Sequence, residues 1–170
     1  MSTELRYVTF NTDMGWIGIL GSAMGLLRTT MPQPSSQQAL QSLGDRVNQA
    51  TCSPESFSDL MERLRSYYSG QRVTFTDRLD LSGATRFQSA VWEAARLIPY
   101  GETRSYGWVA GQIMKPEAAR AVGQAMGRNP AAIIVPCHRV IASDGTLGGF
   151  GNGLEMKRRL LRLEGIHIPE

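Results

Sequence analysis

Cysteine and histidine are scarce in this chain of 170 residues, which has two of each. Two cysteines cannot form a disulfide scaffold, and a four-ligand zinc site would have to recruit the distant Cys52 and His167 to join Cys137 and His138. No stretch approaches the ~20 apolar residues of a membrane helix, and residues 1–11 do not resemble a signal peptide. We therefore expect a cytoplasmic protein with reduced thiols and no bound metal.

A strong net charge is also missing, because 18 Lys and Arg oppose 15 Asp and Glu for a balance of +3 at pH 7. The charge is unevenly spread: residues 1–82 hold seven Arg and eight acidic residues (net −1), and residues 83–170 hold eleven basic and seven acidic residues (net +4). The total does not identify a nucleic-acid-binding protein, but the second half is the basic half. A hydrophobic content of 42% is enough to build a core, which argues against disorder.

The first half alternates short apolar runs with turn residues, a pattern typical of β-hairpins. A small antiparallel sheet is predicted from three of these runs, at residues 5–10, 16–20 and 25–29. Residues 37–49 are polar and only weakly helical, whereas apolar residues at three- and four-residue steps over 57–68 predict an amphipathic helix. Residues 73–81 are predicted to be extended, and the region of Gly83 is the best candidate for a domain boundary.

Helical patterns dominate the second half. Apolar stripes predict four helices, over residues 87–98, 106–113, 117–126 and 154–164. The second helix begins behind Thr103 or Ser105 and is joined to the third by about four residues, as in a helix-turn-helix. We therefore predict an α+β fold, with a small N-terminal antiparallel-sheet and helix domain over 1–82. A mainly helical C-terminal domain over 83–170 carries the helix-turn-helix, which is winged-helix-like.

Cys137 and His138 follow the apolar run 131–135, and a cysteine needs a base near it to react as a thiolate. Neighbouring side chains of an extended segment point to opposite sides, so this pair requires a bridging water or a local turn. Glu164 is a candidate for the third group that orients the imidazole. Taken alone the pair is weak evidence, because a buried cysteine is commonly a small inert hydrophobe.

Several motifs surround this pair. They are Phe87-Gln88, Val91-Trp92, Ile98-Pro-Tyr-Gly-Glu-Thr-Arg-Ser-Tyr106, Arg120-Ala-Val-Gly123, Asn129-Pro130, Ile134-Val-Pro-Cys-His-Arg-Val-Ile141, Gly148-Gly-Phe-Gly151 and Leu161-Arg-Leu-Glu-Gly165. In this order and spacing, the region over about residues 80–165 resembles the O6-alkylguanine-DNA alkyltransferase family. The resemblance implies a DNA-repair protein that moves an alkyl group from O6 of guanine onto its own cysteine in one irreversible turnover.

The resemblance also implies roles for individual residues. Cys137 matches the alkyl acceptor, His138 the base that deprotonates it through a water, and Glu164 the group that fixes the imidazole. Tyr106 matches the residue that donates to N3 of the extruded guanine, and Asn129 the hinge between the recognition helix and the active-site strand. No cofactor is implied. A thioether offers no leaving group for hydrolysis, so the protein is expected to be consumed.

A base inside a duplex cannot present its O6 substituent to a thiolate, so base flipping is implied as well. Arg120 matches the intercalating finger of the family. The carbonyls of Cys137 and Val140 would accept from the guanine amino group, and the amide of Gly151 would donate to O6. Phe150 keeps an aromatic ring at the position of a tyrosine that caps the pocket.

Short side chains are unusually frequent in the predicted helix 117–126. A minor groove is only about 6 Å wide, so a helix approaches it closely only where its facing side chains are short. The residues that meet this condition are Ala118, Ala119, Ala121 and Gly123. Close packing of helices inside the domain is the alternative explanation. Arg104 and Arg128 are candidate phosphate contacts, and a solvated surface is an equal alternative for both.

Two departures from the family bear on the substrate. Asn152 stands where some members have glycine, and Ala132 replaces a proline that can wall the alkyl pocket, so bulky adducts such as benzyl are poor candidates. Methyl is the default alkyl group, and O4-alkylthymine is a second possible substrate. The expected partner is double-stranded DNA containing alkylated guanine, with no membrane. We expect a monomer, nucleoid-associated if bacterial, and leave clustering along DNA open.

Three other readings of the sequence stay open. A damage sensor would keep the DNA-binding helices and lack the acceptor thiol, which the presence of Cys137 argues against. A Cys-His hydrolase would turn over many times, whereas the repair reading predicts a stoichiometric ceiling. A plain winged-helix regulator would prefer one DNA sequence and would leave Cys137 unmodified.

Overall fold

A computed structural model describes residues 4–148 and 153–168 and separates the chain into two units. The first unit holds the chain up to Ser82 together with Pro130–Ile134, and the second holds Gly83–Asn129 with the chain from Val135 onward. A single domain boundary after residue 82 therefore does not assign Pro130–Ile134 to the first unit, where the structure has it. This short apolar segment belongs there because its backbone pairs with Thr29, whose N–H donates to Pro130 O (3.0 Å) and whose carbonyl accepts from Ala132 N (3.2 Å).

The first unit is built on a four-stranded sheet in the order β3-β2-β1-β4. Its strands are β1 (Leu5–Thr12), β2 (Gly15–Ser22), β3 (Gly25–Thr29) and β4 (Ala50–Cys52). The first three form the predicted antiparallel meander. β4 instead pairs parallel to β1, because the chain crosses back through helix α1 (Ser36–Ser42) and a 3₁₀ turn at Asp45–Gln49 before it reaches the sheet.

Helix α2 (Ser58–Tyr68) belongs to the first unit and buries the stripe that the sequence predicted. Leu64 and Tyr67 are almost fully enclosed on this stripe. The following stretch, residues 73–81, forms only an isolated bridge, in which Leu79 pairs with Leu26 of β3. Residues 73–81 are therefore not a full strand of the sheet.

The second unit is mainly helical, and the α+β fold class predicted from the sequence is confirmed. Its helices are α3 (Arg86–Ala95), α4 (Tyr106–Gln112), α5 (Ala119–Met126) and α6 (Leu154–Leu163). A parallel pair of two-residue strands, β5 (Arg104–Ser105) and β6 (Val140–Ile141), brings the beginning of α4 next to the chain that follows Cys137. Over the described ranges, no helix is long and apolar enough to cross a membrane.

Helices α4 and α5 form the helix-turn-helix. Ser105 is the N-cap of α4, since its hydroxyl accepts from Trp108 N at 2.9 Å. The end of α4 is sharp: Met114 has a positive φ of 62°, and Lys115 N donates back to Ala110 O at 2.9 Å. α5 is then fixed against α3 by the indole of Trp92, whose Nε1 donates to Ala125 O at 2.9 Å. This contact determines which face of α5 is left outward.

Candidate active site

Cys137 opens a short 3₁₀ turn, Cys137–Arg139, that lies between the apolar segment and β6. Backbone hydrogen bonds hold the turn, from Cys137 N to Val135 O (2.8 Å) and from Arg139 N to Pro136 O (2.9 Å). Residues on a 3₁₀ helix are about a third of a turn apart, so neighbouring side chains no longer point in opposite directions. The local turn that the Cys-His pair requires is therefore present.

Asn129 lies just beyond the end of α5 and holds the thiol of Cys137. Its Nδ2 donates to Val135 O at 2.9 Å and to Cys137 Sγ at 3.0 Å. Burial raises the pKa of the Cys137 thiol, and the Asn129 hydrogen bond and the Lys157 charge offset only part of that rise. The thiol therefore needs a base to become a nucleophile.

The residue after this cysteine, His138, is paired with a buried acid, Glu164. His138 Nε2 is 2.5 Å from Glu164 Oε2, and both side chains are almost fully enclosed. Burial alone would raise the pKa of Glu164, but hydrogen bonds from His138 and Arg139 outweigh it and lower the pKa to about 2. The pKa of His138 is lowered, because burial, the largest influence, acts together with the charges of Arg139 and Lys157 against the contact with Glu164, which raises it. At neutral pH the pair is therefore a carboxylate and a neutral imidazole.

Two buried cations in this region were missed by the sequence reasoning, namely Arg139 and Lys157. Lys157 Nζ donates to Val140 O at 2.7 Å and reaches Tyr106 Oη at 3.4 Å. Burial lowers the pKa of Lys157 to about 8. A signal existed in the sequence, because Lys157 is three residues before Leu160 and falls on the apolar stripe of α6.

A cleft of about 630 Å³ opens onto the thiol, which is within the range of small-ligand sites. Cys137 and Tyr106 line it together with residues of α5 and of the chain after β6. The α5 residues that line the cleft are Ala119, Arg120, Gly123, Gln124 and Met126. The cleft thus joins the cysteine, the tyrosine and the small-residue helix predicted from the sequence.

The outward face of α5 carries short side chains, and no other part of the described chain covers it. Ala121 is exposed and Gly123 half-buried, whereas Val122 and Ala125 pack inward. Arg120 is exposed at the cleft, and Arg128 is exposed just after the helix. Internal packing therefore accounts for only part of the short side chains of this helix.

Two further predicted site residues, Arg104 and Val140, have protein partners in the structure. Arg104 Nη2 donates to Glu102 at 2.8 Å, and its guanidinium stacks on Trp108 at 5.6 Å, so a phosphate contact would compete with these partners. The carbonyl of Val140 already accepts from Lys157 and has one further lone pair for a base.

Other sequence predictions fall away from the cleft or beyond the described chain. Ala132 lies in the first unit, where its carbonyl accepts from the Thr29 hydroxyl at 2.7 Å. Phe150, Gly151 and Asn152 lie outside the described residues. Among the residues that are described, no three His, Cys, Asp or Glu side chains form a group that could hold a metal ion.

The fold and site define a helix-turn-helix protein with a cysteine that lines a cleft. Residues 86–166 match the model of the 6-O-methylguanine DNA methyltransferase DNA-binding domain. The methylated-DNA–protein-cysteine methyltransferase of Mycolicibacterium paratuberculosis is 53% identical over 119 residues, which cover 70% of this chain and 72% of the relative. The enzyme of the same name from Methanosarcina acetivorans is 50% identical over 111 residues, which cover 65% of this chain and 70% of the relative.

Solved structures agree over nearly the whole chain. The crystal structure of the Mycobacterium tuberculosis O6-methylguanine methyltransferase has a TM-score of 0.79 at 42% identity, covering 97% of this chain and 95% of that one. A structure of the Mycobacterium tuberculosis protein in complex with DNA has a TM-score of 0.79 at 44% identity, covering 94% and 92%. The chain belongs to the 6-O-methylguanine DNA methyltransferase family.

Gly148 packs against the ring of Tyr106, and this contact can be tested by substitution. A Cβ at Gly148 would lie 2.9 Å from Tyr106 Cε2 and 3.1 Å from its hydroxyl, whereas a Cβ at Gly145 would meet no atom within 4 Å. Both glycines have positive φ, so Gly145→Ala controls for backbone strain. We expect Gly148→Ala to lower the free energy of unfolding by about 1–3 kcal/mol more than Gly145→Ala in urea denaturation. Equal losses of unfolding free energy would show that the Tyr106 ring moves aside without destabilising the fold.

Proposed function

We propose that this protein repairs O6-alkylguanine in DNA by transferring the alkyl group to Cys137. The observation that carries the proposal is the placement of the thiol, which lies in a cleft beside an exposed helix face and is held by Asn129. In the same turn, His138 contacts Glu164, and the two form a buried base and its orienting acid. A nucleophile, a base and an orienting group are the parts that covalent transfer requires.

The transfer is a displacement at the alkyl carbon. The bond between Sγ of Cys137 and that carbon forms as the bond from the carbon to O6 of guanine breaks. The thiol proton passes to His138 through a water and is then released to solvent. The departing guanine is stabilised by a hydrogen bond that Tyr106 donates to N3, and it takes up one proton from solvent at N1. The products are a thioether and an unmodified guanine. Because the thioether has no leaving group for hydrolysis, one protein molecule repairs one base.

The α5 face has the features needed to bring a flipped base to the thiol. Short residues allow the helix to approach a minor groove, and Arg120 stands at the cleft, where it can fill the space that the base leaves. Contacts of this kind read shape and phosphates and carry little sequence information, which suits a search for damage anywhere in DNA. Arg128 and Arg104 add candidate phosphate contacts.

We propose that the protein is cytoplasmic, and associated with the nucleoid if the cell is bacterial, and that it acts as a monomer without a cofactor. O6-methylguanine is the principal substrate and O4-methylthymine a second one. Clustering of several molecules along one duplex is compatible with single-site repair, and it would be detected as cooperative binding in a titration.

Intact mass spectrometry tests the transfer directly. After mixing with duplex containing O6-methylguanine, we expect a gain of about 14 Da on the peptide that contains Cys137, with one base repaired per protein molecule. Cys52→Ala should react normally because Cys52 is exposed and lies in the first unit. Cys137→Ala should bind the duplex without gaining mass. Repair of several bases per molecule would instead indicate a hydrolase, and sequence-dependent binding without any mass change a regulator.

Substitution of Arg120 tests the base-flipping step. Arg120→Ala should slow the reaction with duplex roughly tenfold or more, because nothing then occupies the space of the extruded base. The reaction with free O6-methylguanine base should be nearly unchanged, since no duplex has to be opened. Arg159→Ala serves as the matched control, because Arg159 is an exposed arginine of α6 that does not line the cleft. Equal losses on duplex and free base would contradict the proposed finger role.

A further inference from the structure

The Glu164 carboxylate receives hydrogen bonds from two parts of the second unit, the chain at Gly101 and the turn Cys137–Arg139. Oε1 accepts from Arg139 Nε at 2.8 Å and from Gly101 N at 3.0 Å. Oε2 is 2.5 Å from His138 Nε2 and accepts from Arg139 Nη2 at 3.1 Å. The guanidinium of Arg139 therefore binds both oxygens of the carboxylate, in the forked geometry that gives strong and directional pairs.

Arg139 is itself held in one orientation. Its Nη1 donates to Ile98 O at 2.8 Å, and its guanidinium lies 5.7 Å from the ring centroid of Tyr100. The side chain is 8% exposed, so the charge is almost fully removed from water. Apolar residues can often replace such a buried pair without loss of stability, which makes stability a weak explanation for its presence. A role in the chemistry of the neighbouring imidazole is the better explanation.

We propose that Arg139 is a positioning residue of the alkyl-transfer site: it keeps the Glu164 carboxylate ionised and acceptor-only, and thereby holds His138 as the neutral imidazole with its proton on Nε2. The inference rests on the proposed function. An ionised carboxylate can only accept, so the short contact to Nε2 requires the imidazole to donate there. Nδ1 is then the basic nitrogen. Without the guanidinium, a buried carboxyl group would tend to take up a proton or to draw one onto the ring.

The charges around the imidazole agree with this arrangement. Burial lowers the pKa of His138, Glu164 raises it, and the charges of Arg139 and Lys157 lower it again. The cations thus come from two elements, the turn that carries His138 and the facing helix α6. The other titratable groups nearby are the Cys137 thiol and the phenols of Tyr106 and Tyr100, which contact Lys157 and Arg139. Arg139 is the cation bound directly to the carboxylate that holds the ring.

Nitrogen NMR of the imidazole tests the proposal in the unmodified active site. The chain has two histidines, so His167→Gln leaves His138 as the only imidazole signal, and His167 is exposed. At pH 7 we expect a neutral ring protonated on Nε2. An imidazolium, or a neutral ring protonated on Nδ1, would overturn the inference. This readout does not depend on alkyl transfer, so failure of Cys137 to gain mass would refute the proposed function alone.

The pH dependence of the single-turnover rate provides the second test. Arg139→Gln removes the cation but keeps a hydrogen-bond donor. His138 should then be protonated more easily, so the fall of the rate on the acidic side should move toward higher pH. For this variant, the ratio of the rate at pH 8 to the rate at pH 6 should be roughly tenfold larger than for the wild type. Arg139→Lys keeps the charge, so its rate should fall at the same acidic pH as in the wild type while the loss of the fork slows transfer at all pH values. The proposal would be overturned if folded Arg139→Gln lost activity at the same acidic pH as the wild type. If Arg139→Gln does not fold, transfer by Arg139→Lys at the wild-type rate would overturn it.

Discussion

The second unit depends on one buried carboxylate. Glu164 stands at the end of α6 and binds the chain at Gly101, the imidazole of His138 and the guanidinium of Arg139. These partners come from two separate stretches of sequence, and the buried guanidinium of Arg139 could not stay buried at low cost without the negative charge. The same contacts hold the turn that carries Cys137 and fix the imidazole that follows it in the sequence. Packing and chemistry therefore rest on the same group.

The side chain of Asn129 connects the end of α5, the helix proposed to face DNA, to the thiol of Cys137. α5 ends at Met126, and Asn129 follows at once, donating to Val135 O and to Sγ of Cys137. A movement of α5 on a duplex would reach the thiol through these two hydrogen bonds. The short strands β5 and β6 make a second connection, from the beginning of α4 to the chain after the turn. The groups of the proposed reaction are thus fixed by local contacts around one cleft.

Local patterns predicted much of this structure, and long-range contacts account for what they missed. The stripes of α2, α3 and α6 and the N-cap Ser105 depend on neighbouring residues, so the sequence reveals them. β4 was missed because three residues are too short for a periodic signal. Arg139 and Lys157 were missed because a lone cation is normally exposed, and only its partners distant in sequence explain its burial. Cys137, His138 and Glu164 were predicted from chemical need together with the family resemblance, and the turn that carries the first two is seen only in the fold.

In the proposed reaction, an ionised Glu164 makes His138 a base for Cys137. The single-turnover rate of Glu164→Gln on duplex containing O6-methylguanine tests this role, because glutamine keeps the size of the side chain and removes its charge. We expect a rate at least roughly a hundredfold below that of the wild type, with DNA binding retained. A folded Glu164→Gln protein that alkylates Cys137 at the wild-type rate would contradict this role.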